Sequence, residues 1–180
     1  MLKLENYRTF YFLRNICDLQ CLRTLYFALI HSRLQYGIEF WGGTFDSLIN
    51  KLLVTQKYLI RIISFKNQRE HTDQLFKNLK ILSVKNLFIF KVLRVFYKMS
   101  GNRGTENLLY PTRSTTRRTF VRPKVNKSFF SKTYIYLGPK CFNQLPDEIK
   151  QTNSFHLFVK MTKDWILNTA NLNQLLLIPA

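Results

Sequence analysis

From residue 22 onward the apolar positions fall at three- and four-residue intervals. Leu22, Leu25, Tyr26, Leu29, Ile30 and Leu34 make a wide apolar stripe, which predicts an amphipathic helix. Gly37 is placed to end it, and Trp41-Gly42-Gly43 predicts a turn. Thr44 or Asp46 is placed to cap a second helix. Its Leu48, Ile49, Leu52, Leu53, Leu59, Ile60 and Ile63 point inward, with Lys51, Lys57 and Arg61 outside. A shorter helix is predicted over Thr72 to Leu79, with Leu75, Phe76 and Leu79 inward. Ser83 then caps a longer helix that buries Leu87, Phe88, Val92, Leu93, Phe96 and Tyr97 and stops at Gly101.

After Gly101 the helical period is lost. Asn102 to Tyr136 is rich in Gly, Thr, Ser, Arg and Pro, and reads as irregular chain with short β-prone pieces such as Thr133 to Leu137. Gly138-Pro139 is expected to open a helical turn, and Pro146-Asp147-Glu148 another, with acids at a helix N-terminus. Ser154 caps a last helix through Phe155, Phe158, Val159, Thr162 and Ile166. The expected fold is mainly α: a helical bundle-like unit at 1–100, an irregular basic linker at 101–137 and a small C-terminal helical unit at 138–180.

Composition adds one dominant fact. Lys and Arg number 28 against 10 Asp and Glu, a formal net charge of +18. Such a chain seeks polyanions. Nucleic acid is the commonest, and acidic proteins and anionic membrane surfaces are the others. The apolar fraction of 46% supports a packed core and excludes a disordered chain. Cys17, Cys21 and Cys141 read as reduced thiols of an intracellular protein, nuclear or cytoplasmic. Met1 to Arg8 holds no continuous apolar stretch, so no signal peptide is expected. The apolar run Leu87 to Tyr97 is broken by Lys91 and Arg94, so no transmembrane segment is expected.

The strongest local signal lies between Glu106 and Asp147, a span without an acid. Arg113, Arg117, Arg118, Arg122, Lys124, Lys127, Lys132 and Lys140 fall within it. Tyr110, Phe120, Phe129, Phe130, Tyr134 and Tyr136 are interleaved. Cations neutralise phosphates, and aromatic faces stack on unpaired bases. The alternative is a solvated basic loop whose aromatics pack into the core. The lack of a local acid favours phosphate contacts for the cations, and core packing is favoured for the aromatics. Cys17-x-x-x-Cys21 lacks the second pair that zinc usually wants, and reads as plain thiols. His31, His71 and His156 stand singly, and Glu70-His71-Thr72-Asp73 reads as a helix-capping turn. Asp18, Asp46, Asp73, Asp147 and Asp164 are scattered, whereas polymerases need carboxylates converging on magnesium. No catalytic residue, metal site, cofactor or small-molecule substrate is expected.

Two stretches carry a resemblance. The first is Leu25-Tyr26-Phe27-Ala28-Leu29-Ile30-His31-Ser32-Arg33-Leu34-Gln35-Tyr36-Gly37-Ile38, then Phe40-Trp41-Gly42-Gly43, continued by Leu53 to Ile63. The second is Tyr110-Pro111-Thr112-Arg113, then Gly138-Pro139-Lys140-Cys141-Phe142-Asn143-Gln144-Leu145-Pro146-Asp147-Glu148-Ile149. They resemble the region after the palm in non-LTR, jockey-like retrotransposon reverse transcriptases. Phe142 stands where that family usually has Trp, and Ser154, Phe158 and Lys160 match its closing pattern imperfectly. The resemblance covers about Leu22 to Leu167. It implies a thumb-like helical part followed by a C-terminal part, with the palm and its paired aspartates lying before this region. The implied function is binding template RNA or an RNA/DNA primer–template through phosphates, without catalysis. The alternatives are a basic scaffold for acidic proteins and a decayed element copy. Self-association is also expected, because Leu25, Phe27, Ala28, Leu29, Ile30 and Tyr36, with Phe10 to Leu13, form apolar surface that a palm would cover.

Overall fold

Two clusters of buried apolar side chains organise the chain, and the helices are best described by which cluster they feed. The computed structural model describes residues 4–101, 120, 124 and 130–169. In chain order these form α1 (Leu4–Leu13), α2 (Leu19–Tyr26), a π-helical turn (Phe27–His31), α3 (Ser32–Gln35) and α4 (Ile38–Trp41). There follow α5 (Asp46–Ile63), α6 (Asp73–Asn78), α7 (Val84–Gly101) and a 3-10 turn (Phe130–Lys132). The last helices are α8 (Tyr134–Asn143), α9 (Asp147–Lys150) and α10 (Phe155–Asn168). The fold is mainly α, and the described residues include no strand.

The first cluster joins Phe10 of α1, Leu22 and Tyr26 of α2, Leu59, Ile60 and Ile63 of α5, and Leu75 and Phe76 of α6. The second is built around α7. Its Leu87, Phe88, Val92 and Leu93 meet Ile38 of α4, Ile49 of α5, Leu137, Cys141 and Phe142 of α8, and Phe158 and Ile166 of α10. This core crosses the boundaries expected at 101 and 138. α8 and α10 complete the cluster that α4, α5 and α7 begin.

Gln56 ties the two clusters together. It is 1% exposed. Its Nε2 donates to the Tyr26 hydroxyl at 2.8 Å and to the Leu82 carbonyl at 2.9 Å, and its Oε1 accepts the Val84 N–H at 2.9 Å. One amide therefore satisfies an α2 phenol, the carbonyl of the loop before α7 and an orphan donor of the first turn of α7.

The helix stop at Gly37 agrees with the sequence, and the stop expected after Gly101 falls outside the described residues. Gly37 has φ +59°, the left-handed conformation glycine adopts at little cost, and the chain turns there from α3 into α4. The Ser83 hydroxyl accepts the Asn86 N–H at 3.3 Å, as a capping serine should. Neither Thr44 nor Asp46 caps α5: Phe45 occupies the cap position without a side-chain bond, and Asp46 is instead the first helical residue, 3.7 Å from Lys85. Leu48, expected inward, is 51% exposed.

Two expectations fail for one reason. Thr133 to Leu137 is not β-like, and Gly138-Pro139 does not open a helix; both lie at or inside α8. Leu137, Cys141 and Phe142 recur at helical spacing and are buried on α7, and that packing outweighs the strand preference of Tyr134, Ile135 and Tyr136. Pro139 has no N–H to give the Ile135 carbonyl, and Ile135 lies at the surface, where solvent can serve that carbonyl. Gly138 permits the close approach of α8 to α7, since a Cβ there would sit 2.6 Å from the Phe96 ring.

Of the apolar face expected to be bare, Phe10 and Ile30 are buried, whereas Phe12 and Tyr36 are largely exposed and Leu29 is partly so.

Candidate nucleic-acid interface

The basic segment and the helical core meet at Phe120. Asn143, the last residue of α8, accepts the Phe120 N–H at 2.9 Å and donates to the Phe120 carbonyl at 2.8 Å. The Phe120 ring packs edge-on to Phe96 at 4.8 Å and to Phe142 at 5.2 Å. Tyr134 and Tyr136 also pack against the core, so these aromatics are structural. Phe130 remains at the surface.

The expected phosphate-binding residues divide into two groups. Arg113, Arg117, Arg118, Arg122 and Lys127 lie outside the described residues. Lys124 is exposed. Lys132 is half-buried, with Nζ 5.6 Å from the Phe45 ring centroid and its carbonyl against Gly43. Lys140 is half-buried on α8.

A second concentration of cations lies on α7, where Lys91 and Arg94 interrupt the apolar run Leu87 to Tyr97 and Lys98 follows it. Between α7 and the α3–α4 corner is a cleft of about 700 Å³, lined by Ser32, Gln35, Tyr36, Glu39, Phe40 and Lys91 among others. It continues into a smaller hollow of about 310 Å³ bounded by Gln35, Glu39, Lys91, Arg94, Val95 and Lys98. Lys91, Arg94 and Lys98 stand at i, i+3 and i+7, one stripe of the helix. That spacing was the signal available in the sequence. Tyr36 is 86% exposed and Phe40 75% exposed on the rim. The Trp41 indole N–H donates to the Tyr36 carbonyl at 2.8 Å, and the Phe40 ring lies edge-on to Tyr134 at 6.0 Å. Burial and the Arg94 guanidinium push the Lys91 ammonium below its ordinary range, and Glu39 opposes the shift. Glu39 Oε2 has no hydrogen-bond partner.

No model of a known protein family matches the chain, and neither do curated proteins or solved structures.

Several residues of the resembling stretches have structural work. Gln56 forms the network described above. The Arg61 Nε donates to the Glu70 carbonyl at 2.8 Å, and Glu70 pairs with Lys66 at 3.1 Å. Phe142 and Leu145 are buried, and Asn143 holds Phe120. Glu70-His71-Thr72-Asp73 leads into α6 with Thr72 at the cap position, without a side-chain bond. Cys17 and Cys21 lie beside each other, and a hydrogen bond from the Cys17 S–H to Cys21, with burial, raises the Cys17 thiol; Cys141 is pushed up to about 12 by burial. Among the described residues no group of three His, Cys, Asp or Glu could hold a metal ion, and no helix is long and apolar enough to cross a membrane.

His31 lies half-buried at the end of the π turn. Burial, Lys163 and Lys91 pull its imidazole down to about 4, against a hydrogen bond with Gln35. An unfolded histidine charges near pH 6.5. Between pH 6.5 and 4 the unfolded chain binds the extra proton, so stability present above pH 6.5 is lost as pH falls toward 4. In urea melts across this window, His31→Gln is expected to flatten the pH dependence. An unchanged slope would show that imidazole charging contributes nothing.

Proposed function

We propose that the chain is a non-catalytic part of a retrotransposon reverse transcriptase, from the region after the palm, and that it binds template RNA or primer–template duplex through phosphate contacts. The charge balance carries this reading. If each of the 10 acids took one cation, 28 − 10 = 18 cations would remain. Surface cations in such excess are neutralised by a polyanion, and counterion release makes the binding salt-dependent and nearly indifferent to sequence. The mainly helical core and the structural roles of Gln56, Asn143 and Phe142 support a region whose motif residues build a scaffold rather than an active site.

A salt titration tests it. Affinity for RNA and for RNA/DNA duplex is expected to fall linearly on a log–log plot, with little difference between sequences. Primer extension with magnesium is expected to yield no product. An affinity that ignored salt, or was found only for acidic proteins, would favour the scaffold reading instead.

Self-association belongs to the same proposal. Phe12, Ile16, Tyr36, Phe40 and Phe45 are exposed apolar side chains, and burial of apolar area contributes about 25 cal/mol per Å². Salt screens the opposing charge beyond about 10 Å at 0.1 M. Light scattering should therefore rise with salt, the reverse of the nucleic-acid trend; a monomer at both low and high salt would remove this part of the proposal.

A further inference from the structure

We propose that the cleft between the α3–α4 corner and α7 is a binding site for a few unpaired nucleotides, with bases against Tyr36 and Phe40 and phosphates along Lys91, Arg94 and Lys98. This rests on the nucleic-acid reading above and assigns it a place that the basic segment does not include.

The cleft has two unlike ends. The wide end carries two aromatic rings that the fold leaves bare, Tyr36 at 86% and Phe40 at 75% exposure. Neither is loosely hung. Trp41 holds the Tyr36 backbone, Gly37 fixes the turn between them, and Tyr134 braces the Phe40 ring from its edge. Exposed aromatics on a fixed backbone are what a sequence-tolerant base platform requires, because every base has a π-face. The narrow end carries the cations. Arg94 and Lys98 are steadied on the Phe155 ring, at 5.6 and 5.1 Å from its centroid. Seven residues of helix place Lys91 and Lys98 about 10 Å apart along the axis. At roughly 3.4 Å per nucleotide of stacked strand, that is about three nucleotides.

Glu39 sets the direction. It is the carboxylate shared by both ends. It repels phosphate but accepts from the exocyclic amine of a base. A strand is therefore seated with base edges toward α4 and its backbone toward the Arg94–Lys98 end. A duplex has no free base faces to offer, so the cleft prefers single strands.

The test compares a short labelled RNA strand of mixed sequence with the duplex formed from it, by fluorescence anisotropy on the full chain. Tyr36→Ala combined with Phe40→Ala is expected to weaken single-strand binding by about tenfold or more, at the level of one or two lost stacking contacts. Duplex binding should be unchanged. Arg94→Gln with Lys98→Gln should lower the single-strand salt slope by roughly 0.7 per contact. A strand carrying 4-thiouridine should crosslink to the peptide holding Tyr36 and Phe40. The substituted aromatics are exposed, and circular dichroism melting confirms that the double variant folds. Salt-dependent binding by the wild type that both variants leave intact, or crosslinks elsewhere only, overturns the cleft and leaves the wider proposal standing. Equal weakening on strand and duplex also overturns it. A wild type that binds neither overturns both.

Discussion

Gln56→Ala is expected to lower the unfolding free energy by about 3–5 kcal/mol. The substitution leaves the Val84 N–H, the Leu82 carbonyl and the Tyr26 hydroxyl without their partner in a buried place. Each orphaned buried group costs roughly 1–3 kcal/mol, and the emptied volume adds a cavity term. Against a typical stability of about 5–15 kcal/mol this is a large fraction. Gln56→Leu separates the terms, since it fills the space but restores no hydrogen bond; it is expected to cost nearly as much. Gln56→Glu retains an acceptor for Val84 but loses the donor to Leu82, and should fall between wild type and Gln56→Ala unless the buried charge dominates. Urea unfolding followed by tryptophan fluorescence measures all three. A loss below about 1 kcal/mol for Gln56→Ala would mean that water replaces the amide freely and that the two clusters are not tied through it.

Replacing Arg113, Arg117, Arg118 and Arg122 together with Gln is expected to weaken binding to every nucleic-acid sequence alike. If each guanidinium meets one phosphate, the log–log salt slope shrinks by roughly 0.7 to 0.9 per contact, or by about 3 in all. Between low and physiological salt such a change removes much of the affinity, the largest effect expected of any substitution here. An unchanged slope would move the contacts elsewhere. The cleft cations Lys91, Arg94 and Lys98 then become the leading candidates. The face of Lys51, Lys57 and Arg61 is the next, although Arg61 is already engaged with the Glu70 carbonyl.

Much of the helical frame was legible because its signals are local. The stripe from Leu22 to Leu34, the inward set of α5 apart from Leu48, and the Ser83 cap depend on neighbours a turn away. α1 was missed although Tyr7, Phe10 and Leu13 recur at three-residue intervals and pack on the first cluster. α8 was misread because its aromatic and β-branched start argues for a strand, and only α7, more than thirty residues earlier in the chain, decides otherwise. The same distance hid the cleft. Lys91, Arg94 and Lys98 are ordinary outer-face cations until α3 and α4 are laid across them, and Tyr36 reads as one more apolar position until its exposure is seen. In the basic segment the expected core packing holds for Phe120, Tyr134 and Tyr136, whereas Phe130 lies at the surface.

The π turn at Phe27–His31 acts as a phase shifter between two halves of one rod. The Ser32 N–H reaches back five residues to the Phe27 carbonyl, so the turn takes up one residue more than an α-turn does. An α-helix advances about 100° per residue. Everything from Ser32 onward is thus set off in azimuth by about that angle from where an unbroken helix starting at Leu19 would carry it. Leu22 and Tyr26 stay locked into the first cluster, while Leu34 is left at the seam, touching both. Gln35 and Tyr36 swing to overlook α7. The bearing of the cleft relative to the core is therefore written into a single surplus residue.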